Sequence, residues 1–392
     1  MRKIEKSYRK TGGRLRVTVP LLAVLLVVCG YAVAARAQAE ADTTATAKSL
    51  HTAVAAPGSE ATVEAELHPE KYKGERTISA DTVWHPDILE GYEARSVNLG
   101  DSFDGPVVCT VVRRRCGGGK GVLYVHGFND YFFQKEMGER FNARGINFYA
   151  VDLRRYGRSL RPWQYPFNVR DMREYFEDID AALTLMRRDG ITDITLSGHS
   201  TGGLTTALYT ALRGARCGVR RLVTDSPFLE WNFNAFYRNA LIPAVTLWGA
   251  LSPDTKIDQG DCDAYSHSLL RQYHGEWEYN TDWKMVYSPP VTASWIRAVS
   301  RAQSKLMKNG RNITVPVLVM HSSRGLHECR WTPQCMDADI VLNPTDLQKR
   351  GQKLGKEPVV TAIEDGMHDL ILSRPRVREA AYDTIFRFID TH

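Results

Sequence analysis

The sequence predicts an α/β fold in which a mostly parallel sheet is covered by helices on both faces. Three observations carry this. Short apolar runs alternate with helix-period segments from about residue 122 to 224, and again from 315 to 389. The runs, such as Val122-Leu123-Tyr124-Val125, are apolar without a polar alternate, as strands buried on both faces are. Finally, Gly198-His199-Ser200-Thr201-Gly202 lies between a β-like stretch at 191–196 and a helix-like stretch at 204–213. A G-x-S-x-G run in that setting marks a tight strand-to-helix turn with the serine hydroxyl held clear of the backbone.

The elements follow in chain order. Residues 1–37 carry eight Lys/Arg against one acid, Glu5, so of the formal +6 the remainder of the chain contributes only about −1. The basicity belongs to the N-terminus, and the body has no footprint for nucleic acid. Basic residues 2–16, the apolar run 17–28 and Ala35-Arg36-Ala37 have the order of a secretory signal. Read as uncleaved, residues 17–35 are near the length of a membrane anchor. A lipid on Cys29 is a third option, disfavoured by the bulky Val28. Each places the body outside the cytosol, and the anchor and lipid readings give membrane association through the N-terminal segment. Residues 38–78, rich in Ala, Thr, Glu and His, read as a flexible linker.

The domain proper is expected over 79–392. Residues 92–99 and 107–113 read as paired strands, and Gly117-Gly118-Gly119 as a turn, since no phosphate-binding Gly-x-x-x-x-Gly-Lys-Ser/Thr loop follows. Strands at 122–125, 147–151, 194–196 and 222–224 alternate with helices at 134–143, 169–188 and 204–212. The alternation lapses over about 227–312, a stretch with many aromatics. It reads as a helical lid inserted after the sixth strand, its aromatics divided between its own packing and an acyl pocket. A strand at 315–320, a helix at 345–354, a strand at 359–363 and a helix at 376–389 close the pattern. Of the seven cysteines, Cys329 and Cys335 are near enough in sequence to pair across a loop, and Cys109 and Cys116 flank a turn; free buried thiols are the alternative.

Ser200 needs a base to take its proton. His368, in Asp365-Gly366-Met367-His368-Asp369 just after the strand 359–363, is the histidine at the right kind of place. His199 is inside the turn and points inward; His321 and His327 follow a different strand. A third group should hold the imidazole from the loop after strand 315–320. Asp337 and Asp339 are the candidates there, with Asp346 further on, and Asp339 is preferred. An oxyanion needs backbone N–H donors. Thr201 supplies one at a helix start, and Phe128, in His126-Gly127-Phe128-Asn129-Asp130, the other.

With these residues in place, the chain resembles the α/β-hydrolases, specifically the monoacylglycerol lipase, lysophospholipase and serine-aminopeptidase-like branch. The resemblance spans about 83–392 and rests on His126-Gly127-Phe128, on Asp152-Leu153-Arg154-Arg155-Tyr156-Gly157-Arg158-Ser159, on Gly198–Gly202 and on His368. It implies Ser200 as nucleophile, His368 as base, Phe128 and Thr201 as oxyanion donors, and no metal or organic cofactor. Two positions depart from the pattern. Arg155 stands where glycine is usual. Ser322-Ser323-Arg324-Gly325 occupies the place where the branch often has its acid, and Asp339-Ile340-Val341 looks like the displaced Asp-x-Val element, as if 323–336 had been inserted before it.

The expected activity is therefore that of an exported serine hydrolase acting on carboxylic esters, lipid-like in the acyl part, with a small-molecule or lipid ester as partner; oligomeric state is left open. A serine aminopeptidase on the same machinery would need an acidic cluster in the lid to hold the ammonium; Glu276, Glu278 and Asp282 could provide one, plain solvated charges being the alternative. A binding protein on a hydrolase scaffold is the third reading.

Overall fold

The structure, a computed structural model, describes residues 81–392. The signal or anchor expected at 1–37 and the linker at 38–78 lie outside the described residues. No helix among the described residues is long and apolar enough to cross a membrane.

A nine-stranded sheet forms the centre. A two-residue edge strand, His85–Pro86, pairs with β1 (Glu93–Ser102), which forms an antiparallel hairpin with β2 (Gly105–Arg114). Then come β3 (Lys120–Val125), helix α1 (Lys135–Ala143), β4 (Asn147–Asp152), α2 (Tyr175–Arg188), β5 (Asp193–His199), α3 (Thr201–Arg213) and β6 (Arg221–Asp225). After a long insert come helix α6 (Ala293–Asn309), β7 (Val317–Ser322), α7 (Pro344–Gly351), β8 (Val359–Ile363) and α8 (Pro375–Thr391). The insert itself holds α4 (Ile242–Leu251) and α5 (Ala264–Leu269). The order across the sheet is β1-β2-β4-β3-β5-β6-β7-β8, and from β4 onward every pairing is parallel. The chain is an α/β-hydrolase in architecture.

The apolar, non-alternating strands explain why the sheet sits in the middle. Every residue of β4 and β6 is buried, so each strand needs a layer on both sides. One face is covered by α2, α3 and α6, with Leu183, Leu204, Val299 and Leu306 in one core. The other is covered by α1 and α8, with Phe141, Phe148, Ile385 and Phe386 in a second.

The stretch expected as a single lid over 227–312 divides. Helix α6, capped by the Thr292 hydroxyl accepting the Trp295 N–H at 3.1 Å, buries Trp295, Ala298, Val299, Ala302 and Leu306 in the main core and packs on α3. Its pattern is that of an ordinary amphipathic helix, and it belongs to the α/β body. The insert above the sheet therefore ends near Thr292, where Val291–Thr292 pairs with Lys256–Ile257.

The disulfide also differs from expectation. Cys329 pairs with Cys262 of the insert, not with Cys335; Cys335 is free and buried beside Thr332, and Cys109 and Cys116 are both free. Cys262 lies 67 residues before its partner, so proximity along the chain could not reveal the pair.

Candidate active site

Ser200 joins β5 to α3, as the N-cap of the helix, with φ +52°. That is the left-handed region, which costs a non-glycine residue about 1–2 kcal/mol. Its backbone is held on both sides. The Ser200 N–H donates to the Asp225 carbonyl at 3.0 Å, and its own carbonyl accepts the N–H groups of Leu204 and Phe228 at 3.0 and 2.9 Å. The flanking glycines are there for close approach. A Cβ on Gly198 would lie 2.6 Å from the Gly202 carbonyl oxygen, and one on Gly202 would run into the carbonyls of Val125 and His126. The turn can therefore press against the end of β3.

The three side chains preferred from sequence meet here. His368 Nε2 lies 2.9 Å from Ser200 Oγ, and its Nδ1 lies 2.9 Å from Asp339 Oδ2. Asp339 is fully buried, and its Oδ1 accepts the N–H groups of Val341 and Leu342, both at 2.8 Å. These bonds and the one to the imidazole fix the orientation of its carboxylate. Asp337 instead pairs with Arg374 at 2.8 Å, and Asp346 with Arg238 at 2.8 Å. Asp339 reaches the imidazole after an excursion. The chain leaves β7 and returns where the Asp339 N–H donates to the Arg324 carbonyl and the Leu326 N–H to the Asp339 carbonyl, both at 2.9 Å. Gly325 and Asp339 form the bridge at the neck of the loop.

Phe128, Ser200 and Thr201 all line one cavity. Thr201 is the first residue of α3, so its N–H lies outside the intrahelical ladder. The loop bearing Phe128 is set by His126. The Leu153 N–H donates to His126 Nε2 at 3.1 Å, which puts the ring proton on Nδ1, 2.8 Å from the Gly127 carbonyl. His126 is thus a structural histidine.

The cavity measures about 390 Å³. Phe228, Trp231, Phe233, Trp295, Ile340, Val341 and Leu342 give it an apolar lining, while Asn129, Gln259, Ser288 and Glu328 supply polar groups. The aromatics of the insert are split between two tasks. Phe228 and Trp231 face the cavity, whereas Trp277 and Trp283 pack with Tyr131 and Phe133 in a small cluster of their own. Glu276 and Glu278 pair with Arg378 and Arg271, and neither they nor Asp282 line the cavity.

Sequence reasoning missed a buried set of ionisable groups behind Ser200. His199, Asp225 and Asp369 each bring one ligand-capable atom to within 4.8 Å of one another. His199 Nδ1 lies 3.8 Å from Asp225 Oδ2, and its Nε2 lies 3.7 Å from Asp369 Oδ2. Burial, then the neighbouring His368, push the His199 imidazole well below its usual range. Burial and the facing Asp369 push the Asp225 carboxyl well up, and burial and Asp130 push Asp369 up to about 6. A neutral imidazole beside two carboxyls that hold a proton between them fits these directions. The only sequence signal was Asp369 adjoining His368, which reads as a helix cap: its Oδ1 accepts the Ile371 and Leu372 N–H groups.

Comparison with known proteins places the chain. Residues 120–325, more than half of the 392, match the Hydrolase_4 family, serine aminopeptidase S33. The chain belongs to that family. It is an enzyme of the hydrolase class, within the monoacylglycerol lipase-like branch of the α/β-hydrolases that the motifs implied. A monoacylglycerol lipase of Mycolicibacterium smegmatis is 25% identical over 275 residues, covering 69% of this chain and 88% of that protein. Among solved structures, a soluble variant of monoglyceride lipase from Saccharomyces cerevisiae, in complex with a substrate analog, superposes with a TM-score of 0.55 at 17% identity, over 81% of this chain and 96% of that one. The monoacylglycerol lipase of Paleococcus ferrophilus gives 0.50 at 18% identity, over 76% and 99%. These two likenesses are of fold. The S33 family match stops at Gly325, the residue where the excursion before Asp339 begins.

Proposed function

We propose that this S33-family chain is a serine hydrolase that cleaves carboxylic esters with a lipid-like acyl chain, of monoacylglycerol or lysophospholipid type, through a covalent acyl-enzyme. The observation that carries the reading is the buried hydrogen-bonded run Ser200–His368–Asp339, opening on a largely apolar cavity. In the proposed course, His368 Nε2 takes the Ser200 proton as Oγ attacks the ester carbonyl. The resulting oxyanion faces the N–H groups of Phe128 and Thr201. Asp339 stabilises the imidazolium and fixes its tautomer. The imidazolium then protonates the departing alcohol, and water, activated by the same base, hydrolyses the acyl-serine. The similarity to a named monoacylglycerol lipase supports the choice of ester. Glu276, Glu278 and Asp282, the acidic residues offered for an aminopeptidase, do not line the cavity, which weighs against that reading.

A panel of p-nitrophenyl esters, monoacylglycerols, lysophospholipids and aminoacyl arylamides, run on wild type and Ser200→Ala, tests the reading. We expect ester turnover that falls by about 10⁶-fold in the variant. Turnover unaffected by the substitution overturns it, as would cleavage of the arylamides alone. Export is part of the same proposal. The basic-then-apolar N-terminus supports it, and so does the Cys262–Cys329 disulfide, a bond that persists in oxidising compartments. Fractionation of expressing cells, with mass spectrometry of the N-terminus, checks it; a chain with an intact N-terminus confined to the cytosol is the contrary result.

A further inference from the structure

We infer that Lys284, on the insert, is a positioning residue for the oxyanion loop, so that the insert forms part of the catalytic apparatus as well as covering it. The inference rests on the hydrolase reading above. Lys284 Nζ donates to Asp130 Oδ1 at 2.8 Å, and both side chains are buried, at 5% and 2% exposure. The other carboxylate oxygen of Asp130 accepts the Gly127 N–H at 3.3 Å. A continuous path thus runs from the ammonium to the backbone of the residue preceding Phe128. Asn129 adds to it on the far side. Its Oδ1 accepts the Met285 N–H at 2.7 Å, and its Nδ2 donates to the Met285 carbonyl at 2.9 Å. Asn129 sits at φ +47°, a left-handed conformation that these bonds hold in place.

The physical need is plain. An oxyanion donor works when it is aimed before the charge develops. Gly127 makes the loop before Phe128 soft, and a Cβ there would be tight, 3.2 Å from both His199 Cδ2 and Ser200 Cβ. A loop that carries glycine at that point gains from outside support. The ion pair also has an electrostatic task. Asp130 is a buried carboxylate one turn of chain from the site of a developing negative charge. Burial alone would push its carboxyl up; the Lys284 ammonium beside it more than offsets this and holds it below the usual range. The ammonium thus cancels a charge that would otherwise oppose the oxyanion. Stability is a weak reason for such a pair, since buried ion pairs on average gain little over apolar replacements.

The test uses the full chain with p-nitrophenyl butyrate as substrate. Lys284→Met should lower kcat by about 10²-fold, the cost of a catalytic group misplaced by about 1 Å, with KM within about threefold. A trifluoromethyl ketone, which binds as the tetrahedral adduct, should lose affinity in step with kcat/KM, while product inhibition by butyrate stays unchanged. A folded Lys284→Met protein with kcat within about threefold of wild type overturns the inference. So does an equal loss of affinity for the ketone and butyrate, the mark of general disruption. If the lone Asp130 charge prevents folding, the pair Asp130→Asn/Lys284→Met removes both charges. Folded and slow, it supports the inference; folded with wild-type kcat, it overturns it. Wild type without ester turnover, or turnover surviving Ser200→Ala, removes the hydrolase reading and this inference with it.

Discussion

The carbonyl of Asp225 accepts the N–H of Ser200 at 3.0 Å, so the serine turn is hung from the end of the neighbouring strand. The same residue's Oδ2 accepts the N–H of Leu370, two residues past His368, at 3.1 Å. One residue of β6 therefore joins the turn that carries the hydroxyl to the loop that carries the imidazole. Its position in the register makes this possible: Asp225 lies opposite His199 on one side and Met320 on the other.

That junction has a pH signature. Asp225 and Asp369 both have their carboxyls raised in the folded chain, from about 3.8 to about 6 for Asp369 and well up for Asp225. A raised carboxyl contributes stability that is fully present below its unfolded value and is lost as the pH climbs through the folded one. Asp225→Asn keeps an acceptor for Leu370 and removes one charge. We expect the variant to gain on wild type as the pH rises, by about 1–3 kcal/mol at pH 8 and by little at pH 4. Denaturant unfolding at the two pH values checks this, and an equal effect at both is the contrary result.

Two neighbouring aspartates should behave differently. Asp339 is buried against His368, while Asp337 pairs with Arg374 at the surface. Asp339→Asn leaves the shape intact but presents the wrong hydrogen-bonding partner to the imidazole, and kcat should fall by about 10⁴-fold. Asp337→Asn should leave kcat within about twofold. Parallel ester assays decide, and a reversal of the two effects would place the acid elsewhere.

The sheet was legible because its signal is local. An apolar run such as Val122–Val125 or the G-x-S-x-G turn announces itself within a few residues, and Ser200, His368 and the strand ends follow from such signals. Asp339 was reachable because its two rivals lay within seven residues of it and the family pattern favoured one. What stayed hidden was contact across long separations in an irregular stretch. Lys284 meets Asp130 across 154 residues, and Cys262 meets Cys329 across 67. Nothing in the composition of the insert distinguishes Lys284 from a solvated lysine. Helix α6 was absorbed into the expected lid because its apolar periodicity lay inside an aromatic-rich window whose boundaries were set by the strands.

Arg155 explains its own departure from the family pattern. It sits at φ +67°, where glycine is the usual occupant, yet its side chain is fully buried, with guanidinium nitrogens 2.5 and 2.8 Å from the Asp104 carboxylate oxygens and its face on the Phe103 ring. The ion pair offsets the backbone strain. Arg155→Ala keeps the strained backbone and leaves a partly buried carboxylate alone, so it should cost about 3 kcal/mol, within the range for breaking such a pair. A melting temperature unchanged from wild type would show that the pair is not needed.

The Cys262–Cys329 bond ties the insert to the tip of the excursion whose neck holds Asp339. Around it, Asp263 and Ala264 donate their N–H groups to the Cys329 carbonyl at 3.1 and 3.2 Å, and Arg330 pairs with Asp263 at 2.5 Å. On the excursion's side these contacts are exposed, at Cys329 and Arg330, while Asp263 and Ala264 are buried. The covalent bond closes a loop of 67 residues; on chain-entropy grounds that is an advantage of up to about 4 kcal/mol over the open chain. Cys262→Ser/Cys329→Ser, made together so that neither partner is left as an unpaired thiol, should lower the unfolding free energy by about 2–4 kcal/mol. The effect on turnover should be smaller, because the backbone pairing of Arg324 and Leu326 with Asp339 stays in place at the neck. Denaturant titration alongside ester kinetics separates the two: a kcat loss approaching that of Asp339→Asn would mean that the tip of the loop, and not its neck, positions the acid.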